Sequence, residues 1–194
     1  MYAVRKAMIY VFLADGFEEI EALTPVDMLR RAGVEVKTVC IYPDRENKIV
    51  MGSHSIPVTA DLSAAEANEI PDGLEMVILP GGMPGSKNLD ESALVDRYLQ
   101  YAAEKNLYMA AICAAPMVLG RRGLLFGKRA VCYPGFEDEL KGASVTGAAV
   151  ETDGKVITAC GMGAAVKFGG ALVRLMKGED EEKAMLRAIL ADRV

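Results

Sequence analysis

The stretch LYMAAICAAPMVLG, residues 107–120, places a cysteine where an apolar run gives way to a helical pattern. Cys113 is followed by Ala114, Ala115 and Pro116, and proline fits the first turn of a helix because its missing N–H costs nothing there. Neither alanine can cap the helix, so the first backbone N–H groups are free to stabilise an anion. A cysteine held there is expected to have a lowered thiol pKa and to act as a nucleophile. The alternative is that Cys113 is a small packing residue, as most free cysteines are.

A nucleophilic thiolate needs a group that manages its proton, and this group is usually a histidine. The chain has one histidine, His54 in VMGSHSIPV, and that short, turn-rich segment is typical of a surface loop. A Cys–His–Asp triad is therefore poorly supported. The other candidates are Glu18, Glu19 and Glu21 in GFEEIEAL, which could be a solvated helix start or could include one buried, protonated carboxyl. The pattern alone does not choose among the three.

Pro25 bears on these carboxylates, because its ring would clash with the carbonyl of Glu21 in a regular helix. A kink or a restart of the helix at Thr24 is therefore expected. A carboxyl at such a bend, beside a crevice, can be buried and serve as an acid–base group.

The stretch PGGMPGS, residues 80–86, supplies two adjacent glycines after an apolar run. It could be only a turn, or it could let backbone N–H groups approach a substrate oxygen as an oxyanion hole. It lacks the Gly-Lys-Ser/Thr ending of a P-loop, and no GxGxxG follows the first strand. We therefore expect no dinucleotide, no other cofactor and no metal.

The elements that must position these residues follow from the alternation of short apolar runs with longer amphipathic ones, which predicts a mainly parallel sheet with helices on both faces. We predict one domain over residues 1–194. Ligands of such sheets bind outside the carboxyl ends of the strands, where DGFEEIE, PGGMPG, CAAP and CYPGFE should lie. The predicted strands are 6–14, 34–42, 76–79, 107–113 and a hairpin over 149–159; the predicted helices are 18–33, 92–106, 164–178 and 180–193.

Composition limits the class of protein. The chain is 52% hydrophobic and 25% charged, which is typical of a globular domain. A net charge of −5 without a basic stripe argues against nucleic acid as the main partner. The apolar runs are too short to cross a membrane, and the N-terminal residues lack a signal-peptide pattern. Four cysteines without a CxxC pair indicate free thiols, so we expect a cytoplasmic protein.

Three stretches, LADGFEEIEALTPVDMLRRAG, VILPGGMPGSKNL and AAICAAPMVLG, resemble the ThiJ/PfpI superfamily, specifically the branch of the parkinsonism-associated protein deglycase. They occur in the order and at the spacing of that branch, and the similarity extends over nearly the whole chain. The resemblance implies a flavodoxin-like three-layer α/β/α sandwich that is usually a homodimer.

By position, the resemblance also implies roles for particular residues. Cys113 would be the reactive, oxidation-prone nucleophile, and Glu21 would be its protonated partner, donating a hydrogen bond to the sulfur. The backbone N–H groups of Gly82 and Ala114 would form the oxyanion hole. The residues beside the substrate pocket would be Gly81, His54 and Tyr133.

The implied function is a cysteine-dependent, cofactor-free enzyme of the glyoxalase III or deglycase type, acting on small dicarbonyls such as methylglyoxal or on glycated substrates. The alternatives are an oxidative-stress sensor or chaperone-type protein that uses an oxidisable cysteine, and an intracellular cysteine peptidase or amidase. In the peptidase-like branch a histidine follows the cysteine, and Ala114 here argues against that activity. Tyr133 and His54 stand where the deglycase branch often has histidine and arginine, which leaves the preferred substrate open.

Overall fold

The computed structural model describes residues 7–193; residues 1–6 and 194 lie outside this description. The outer ends of the predicted domain 1–194, the first residue of the predicted strand 6–14 and part of the segment predicted to lack a signal peptide fall on those residues. Within residues 7–193, no helix combines the length and the apolar character that crossing a membrane requires.

Strands and helices alternate along the described chain, as the apolar periodicity predicts. The strands are β1 (Met8–Leu13), β2 (Glu35–Cys40), β3 (Ile49–Met51), β4 (Pro57–Thr59), β5 (Leu74–Leu79), β6 (Tyr108–Ile112), β7 (Arg129–Ala130), β8 (Ser144–Val145), β9 (Val150–Asp153) and β10 (Val156–Ala159). The helices are α1 (Glu19–Arg31), α2 (Gly85–Asp90), α3 (Ala93–Glu104), α4 (Pro116–Arg121), α5 (Ala165–Lys177) and α6 (Glu179–Ala188).

The central sheet has six strands in the order β2-β1-β5-β6-β10-β9. All neighbouring pairs are parallel except β9 and β10, which form the predicted hairpin around Gly154. Strands β1, β5 and β6 are adjacent, so their carboxyl ends lie side by side at one edge. The loops after these three strands carry the glutamate, glycine and cysteine stretches, which confirms the predicted common edge for them.

Two hydrophobic clusters cover the two faces of the sheet. One joins the sheet to α1, α5 and α6 through side chains such as Val26, Phe168 and Met185. The other joins it to α3 and α4 through side chains such as Leu99 and Val118. The predicted flavodoxin-like, three-layer α/β/α sandwich with a mainly parallel sheet is therefore confirmed.

Two local expectations differ from the structure. A kink or a restart was predicted at Thr24, and helix α1 runs continuously from Glu19 through Pro25 to Arg31, so it does not restart there. Proline removes one hydrogen bond, but the apolar face of α1 is fully packed on the sheet, and tertiary packing supplies most helical stability in proteins. The second difference concerns β7, the strand before CYPGFE. It is not part of the main sheet and pairs only with β8 in a separate two-stranded ladder.

Candidate active site

Cys113 lies at a sharp turn between β6 and α4. Its φ is 64°, a left-handed conformation that is uncommon for a residue other than glycine and that concentrates at functional sites. The turn is held on both sides, because the Cys113 N–H donates to the Ala159 carbonyl and the Cys113 carbonyl accepts from the Tyr133 N–H, both at 2.8 Å. Helix α4 begins at Pro116 with no side-chain cap. The predicted elbow and the predicted uncapped helix start are both present.

Glu21 is the carboxyl that faces this cysteine. It is 1% exposed on α1, it is hydrogen-bonded to the Cys113 side chain, and its Oε2 accepts the Gly81 N–H at 3.0 Å. A backbone group of Met162 also bonds to it. Burial, with a smaller contribution from the nearby Glu18 charge, raises the pKa of Glu21 to about 7. Of the three glutamates that the sequence left open, Glu21 is the one in contact with Cys113.

The thiol pKa differs from the sequence-based prediction. Burial, followed by the charge and hydrogen bond of Glu21, raises the pKa of Cys113 to about 12, although the backbone N–H groups of Gly82 and Ala114 oppose the rise. The prediction of a lowered pKa is therefore wrong, because it included the helix start but neither the burial nor the adjacent carboxylate. Because the ionised Glu21 carboxylate opposes loss of the thiol proton, the two groups titrate as a coupled pair.

The two glycines of the PGGMPG loop leave no room for side chains. A Cβ on Gly81 would collide with the Glu21 carboxylate and with Cys113, and Gly82 has a φ of 87°. These positions need glycine so that the backbone can approach the Cys–Glu pair closely. The predicted close backbone approach is present, and the N–H groups of Gly82 and Ala114 both bond to the sulfur.

A second polar group lies beside the first turn of α1. His54 is exposed, and its Nδ1 lies 3.0 Å from Glu19 Oε2 and 3.2 Å from Glu18 Oε2, while the Ser53 hydroxyl donates to both carboxylates. His54 lies in the turn between β3 and β4, as the sequence predicts for a loop histidine, and no contact joins it to Cys113 among the described residues. The ligand atoms of Glu18, Glu19 and His54 lie within 4.8 Å of one another, and the Ser53 hydroxyl and His54 Nδ1 hydrogen-bond within this group.

The contact between Glu19 and His54 is expected to make the free energy of unfolding depend on pH. Although burial opposes it, hydrogen bonding from His54 and backbone N–H groups lowers the pKa of Glu19 to about 2. A carboxyl whose pKa is lower in the folded state stabilises the fold above its unfolded pKa of about 4.5 and loses that contribution as the pH falls toward 2. We expect Glu19→Gln to lower the free energy of unfolding at pH 7 by about 2 kcal/mol.

Urea unfolding followed by circular dichroism would measure the difference, which should shrink between pH 4.5 and pH 3. Glu75→Gln is a matched control, because Glu75 is exposed on β5 and should give no change. A loss for Glu19→Gln that is the same at pH 3 and pH 7 would mean that the ionised carboxylate is not responsible.

A cavity of about 660 Å³ is lined by residues that neighbour the pair. One of them is Gly161, where an added Cβ would lie 3.3 Å from the Tyr133 ring and 4.0 Å from Glu21 Oε1. The lining is mostly apolar, with no lysine, arginine or histidine, and includes Val131, Cys132, Tyr133, Pro134, Val145, Ala149, Cys160, Gly161 and Met162. Tyr133 thus lies beside the candidate site, whereas His54 lies beyond Glu18 and Glu19.

Some residues of this site are missed by sequence reasoning. The register between β10 and β6 brings Gly161, Met162 and Cys160 to the elbow, and only the folded sheet reveals this. Ser53 joins the His54 group through a turn whose sequence has no recognisable motif, and the contact of Glu18 with this group was not predicted. The glycines of the loop CGMGAA indicate a close approach of another group to the backbone, but the sequence does not identify that group.

An α/β sandwich with a cysteine at a strand-to-helix elbow, bonded to a buried carboxyl on the first helix, defines a class of protein. The model of the DJ-1/PfpI family matches residues 7–175, and the chain belongs to that family. Protein dj-1beta of Drosophila melanogaster is 32% identical over 182 residues, which cover 93% of this chain and 95% of the relative. A deglycase of Pyrococcus abyssi is 30% identical over 172 residues, covering 87% of this chain and 99% of the relative. The structure of oxidised Toxoplasma gondii DJ-1 superposes with a TM-score of 0.87 at 33% identity, covering 95% and 98% of the two chains.

Proposed function

We propose that this protein is a cofactor-free enzyme that converts small dicarbonyls, such as methylglyoxal, to hydroxy acids through Cys113. The observation that carries the proposal is the hydrogen bond between the Cys113 side chain and the buried Glu21 carboxyl, whose pKa is about 7. An acid–base group works best when its pKa lies near the working pH. The similarity to the deglycase of Pyrococcus abyssi supports chemistry at a dicarbonyl or its adducts.

The first step is addition of sulfur to the aldehyde carbon. Glu21 takes the thiol proton as the S–C bond forms, and the aldehyde oxygen becomes an oxyanion. The N–H groups of Gly82 and Ala114, which already bond to the sulfur, are close enough to donate to that oxygen. Glu21 then returns its proton to the oxygen, which gives a hemithioacetal.

The second step moves a proton between carbons. The Glu21 carboxylate removes the hydrogen from the former aldehyde carbon, and the electron pair shifts toward the neighbouring ketone to form an enediolate. The proton of the adjacent hydroxyl then moves to the oxygen on the second carbon. The protonated Glu21 then delivers the proton to the second carbon, which leaves a thioester on Cys113. Water hydrolyses the thioester, so the sum is methylglyoxal plus water giving lactate and a proton, with the thiol restored.

The test is to follow methylglyoxal and lactate together by chromatography over at least 100 turnovers per protein molecule. A deglycase in the strict sense would instead act on a preformed adduct of methylglyoxal with an amine. The two activities separate if free methylglyoxal is varied at a constant adduct concentration. Adduct loss that follows only the free dicarbonyl supports the glyoxalase proposal, whereas adduct loss independent of it would contradict that proposal in favour of a deglycase.

The peptidase alternative has less support. A cysteine peptidase needs an imidazole next to the sulfur, and the one histidine of the chain is bonded to Glu18 and Glu19 instead. A redox role has more support, because a homologous structure is that of an oxidised protein and Cys113 is partly exposed.

The substitution Gly81→Ala tests how closely the loop must approach the pair. The added methyl would displace either Glu21 or Cys113, and a displacement of about 1 Å at reacting groups can cost on the order of 10²-fold in rate. We therefore expect kcat/KM for methylglyoxal to fall by about 10²-fold. Gly170→Ala is the matched control, because a Cβ there meets no atom closer than 3.4 Å, and it should keep wild-type kcat/KM. Equal activities of the two variants would contradict the proposed positioning role.

We also propose that the protein acts as a homodimer. Large apolar side chains are exposed on α1 and on the β3–β4 hairpin, namely Ile20, Met51 and Ile56. The His54–Glu19 contact brings this hairpin beside the first turn of α1, and neighbouring exposed apolar side chains are typical of a protein–protein contact. We expect the double variant Ile20→Glu/Ile56→Glu to elute as a monomer, with wild type eluting as a dimer, in size-exclusion chromatography with light scattering. Wild type eluting as a monomer at 50 µM would contradict the proposal.

A further inference from the structure

We infer that Cys160 is a resolving thiol for Cys113, so that mild oxidation closes a reversible disulfide between the carboxyl ends of β6 and β10. The inference concerns the same cysteine as the proposed function and adds regulation to it, but it does not require that the protein turn over a dicarbonyl. It rests on the register of two strands, the side of the sheet that both thiols occupy, and their access to solvent.

The register brings the two cysteines together. Strands β6 and β10 are parallel, and their last pair is Ile112 with Ala159, so Cys113 and Cys160 each follow directly after that pair. The Cys113 N–H continues this ladder, because it donates to the Ala159 carbonyl at 2.8 Å. Neighbouring strands lie about 4.8 Å apart, which is within the range of about 4.4–6.8 Å between Cα atoms that disulfides span.

Both thiols lie on the same side of the sheet. In a regular strand Cys113 would alternate to the face opposite Ile112, but its φ of 64° turns the side chain out of that alternation. Cys113 and Cys160 consequently pack against the same hydrophobic cluster, between the sheet and α1. Gly161 follows Cys160 with a φ of 157°, so the chain beyond it has the freedom to adjust as the two sulfurs approach.

The other two cysteines are unsuitable partners. Cys132 is buried in the cluster on the opposite face of the sheet. Cys40 is fully buried at the end of β2, which is three strands from β6 and therefore roughly 14 Å away. Cys132 lines the same cavity as Cys160 but is buried, whereas Cys113 and Cys160 are both partly exposed, and a small oxidant can enter through the cavity beside Tyr133.

The chemistry balances with a peroxide as the oxidant. The Cys113 sulfur attacks one peroxide oxygen, the S–O bond forms, the O–O bond breaks, and the leaving hydroxide takes a proton to become water. Cys160 then attacks the Cys113 sulfur as a thiolate, the S–S bond forms, and the sulfenic hydroxide leaves as a second water. Two thiols lose two electrons and two protons in total, and hydrogen peroxide is reduced to water.

The experiment treats wild type, Cys160→Ser and Cys40→Ala with one equivalent of hydrogen peroxide, blocks remaining thiols with iodoacetamide and identifies peptides by mass spectrometry. We expect a 113–160 linked peptide in wild type and in Cys40→Ala, removed by dithiothreitol. In Cys160→Ser we expect no linked peptide and at least fivefold more sulfinic acid on Cys113. Equal sulfinic acid in wild type and Cys160→Ser, a link to a different cysteine, or an unoxidised Cys113 would each overturn the inference. Failure of the methylglyoxal assay alone would overturn the proposed function and leave this inference intact.

Discussion

Replacement of Cys113 by serine is expected to reduce lactate formation from methylglyoxal on the order of 10³-fold or more, to the rate of the uncatalysed reaction. The serine hydroxyl occupies the same elbow and can accept the same backbone N–H groups. Its proton is held too tightly, however, for a carboxylate with a pKa of about 7 to remove. The loss would therefore report the chemistry of sulfur rather than the shape of the turn. Initial rates at saturating methylglyoxal, with lactate quantified by chromatography, are the measurement.

The control for this variant is Cys40→Ala, which removes a thiol that is buried at the far side of the sheet. Circular dichroism and a melting curve should show that Cys113→Ser is folded. If folded Cys113→Ser keeps more than a tenth of the wild-type rate, sulfur does not form the covalent intermediate and the proposed mechanism is wrong.

The sequence was sufficient to predict the architecture and the elbow, because both depend on local patterns. Apolar periodicity marks the buried strands, and a cysteine followed by two small residues and Pro116 marks an uncapped helix start. The protonation state of the site was less predictable, because it depends on what surrounds the sulfur. Glu21 and Cys113 are 92 residues apart in number, and only the adjacency of β1, β5 and β6 brings their loops together.

The mistaken prediction about the thiol pKa has the same origin. A helix start stabilises a thiolate, but desolvation and a neighbouring carboxylate act in the opposite direction and are larger here. A nucleophile with a raised pKa is still usable when its proton has a nearby acceptor. The coupled pair then matters more than either group alone, because deprotonation of Glu21 near pH 7 supplies the base that removes the thiol proton as the sulfur attacks.

Glu21→Gln is the most informative substitution, because Glu21 is the acid–base group of the pair. A glutamine amide can donate a hydrogen bond to the sulfur, but it can neither accept the thiol proton nor move a proton between carbons. We expect kcat/KM to fall by about 10²–10⁴-fold. Wild-type kcat/KM should rise with pH and level off above about pH 7, where the pair loses its first proton. The variant should lack this inflection near pH 7, because no carboxyl remains to titrate there.

Stability supplies a second, independent measurement on the same variant. The pKa of Glu21 is higher in the folded state, at about 7, than its ordinary value of 4.5, so the folded state binds the proton more tightly. Its contribution to stability is greatest below pH 4.5 and is lost as the pH rises through about 7, at a cost of up to about 3 kcal/mol. Glu21→Gln removes that cost, so at pH 8 the variant should unfold at a higher urea concentration than wild type, with the difference disappearing near pH 4.

A Glu21→Gln variant that is inactive, more stable than wild type at pH 8 and without the inflection near pH 7 would show that the buried Glu21 carboxylate destabilises the wild-type fold but is required for proton transfer. Retention of that inflection by Glu21→Gln would assign the titration to another group and refute the role proposed for Glu21.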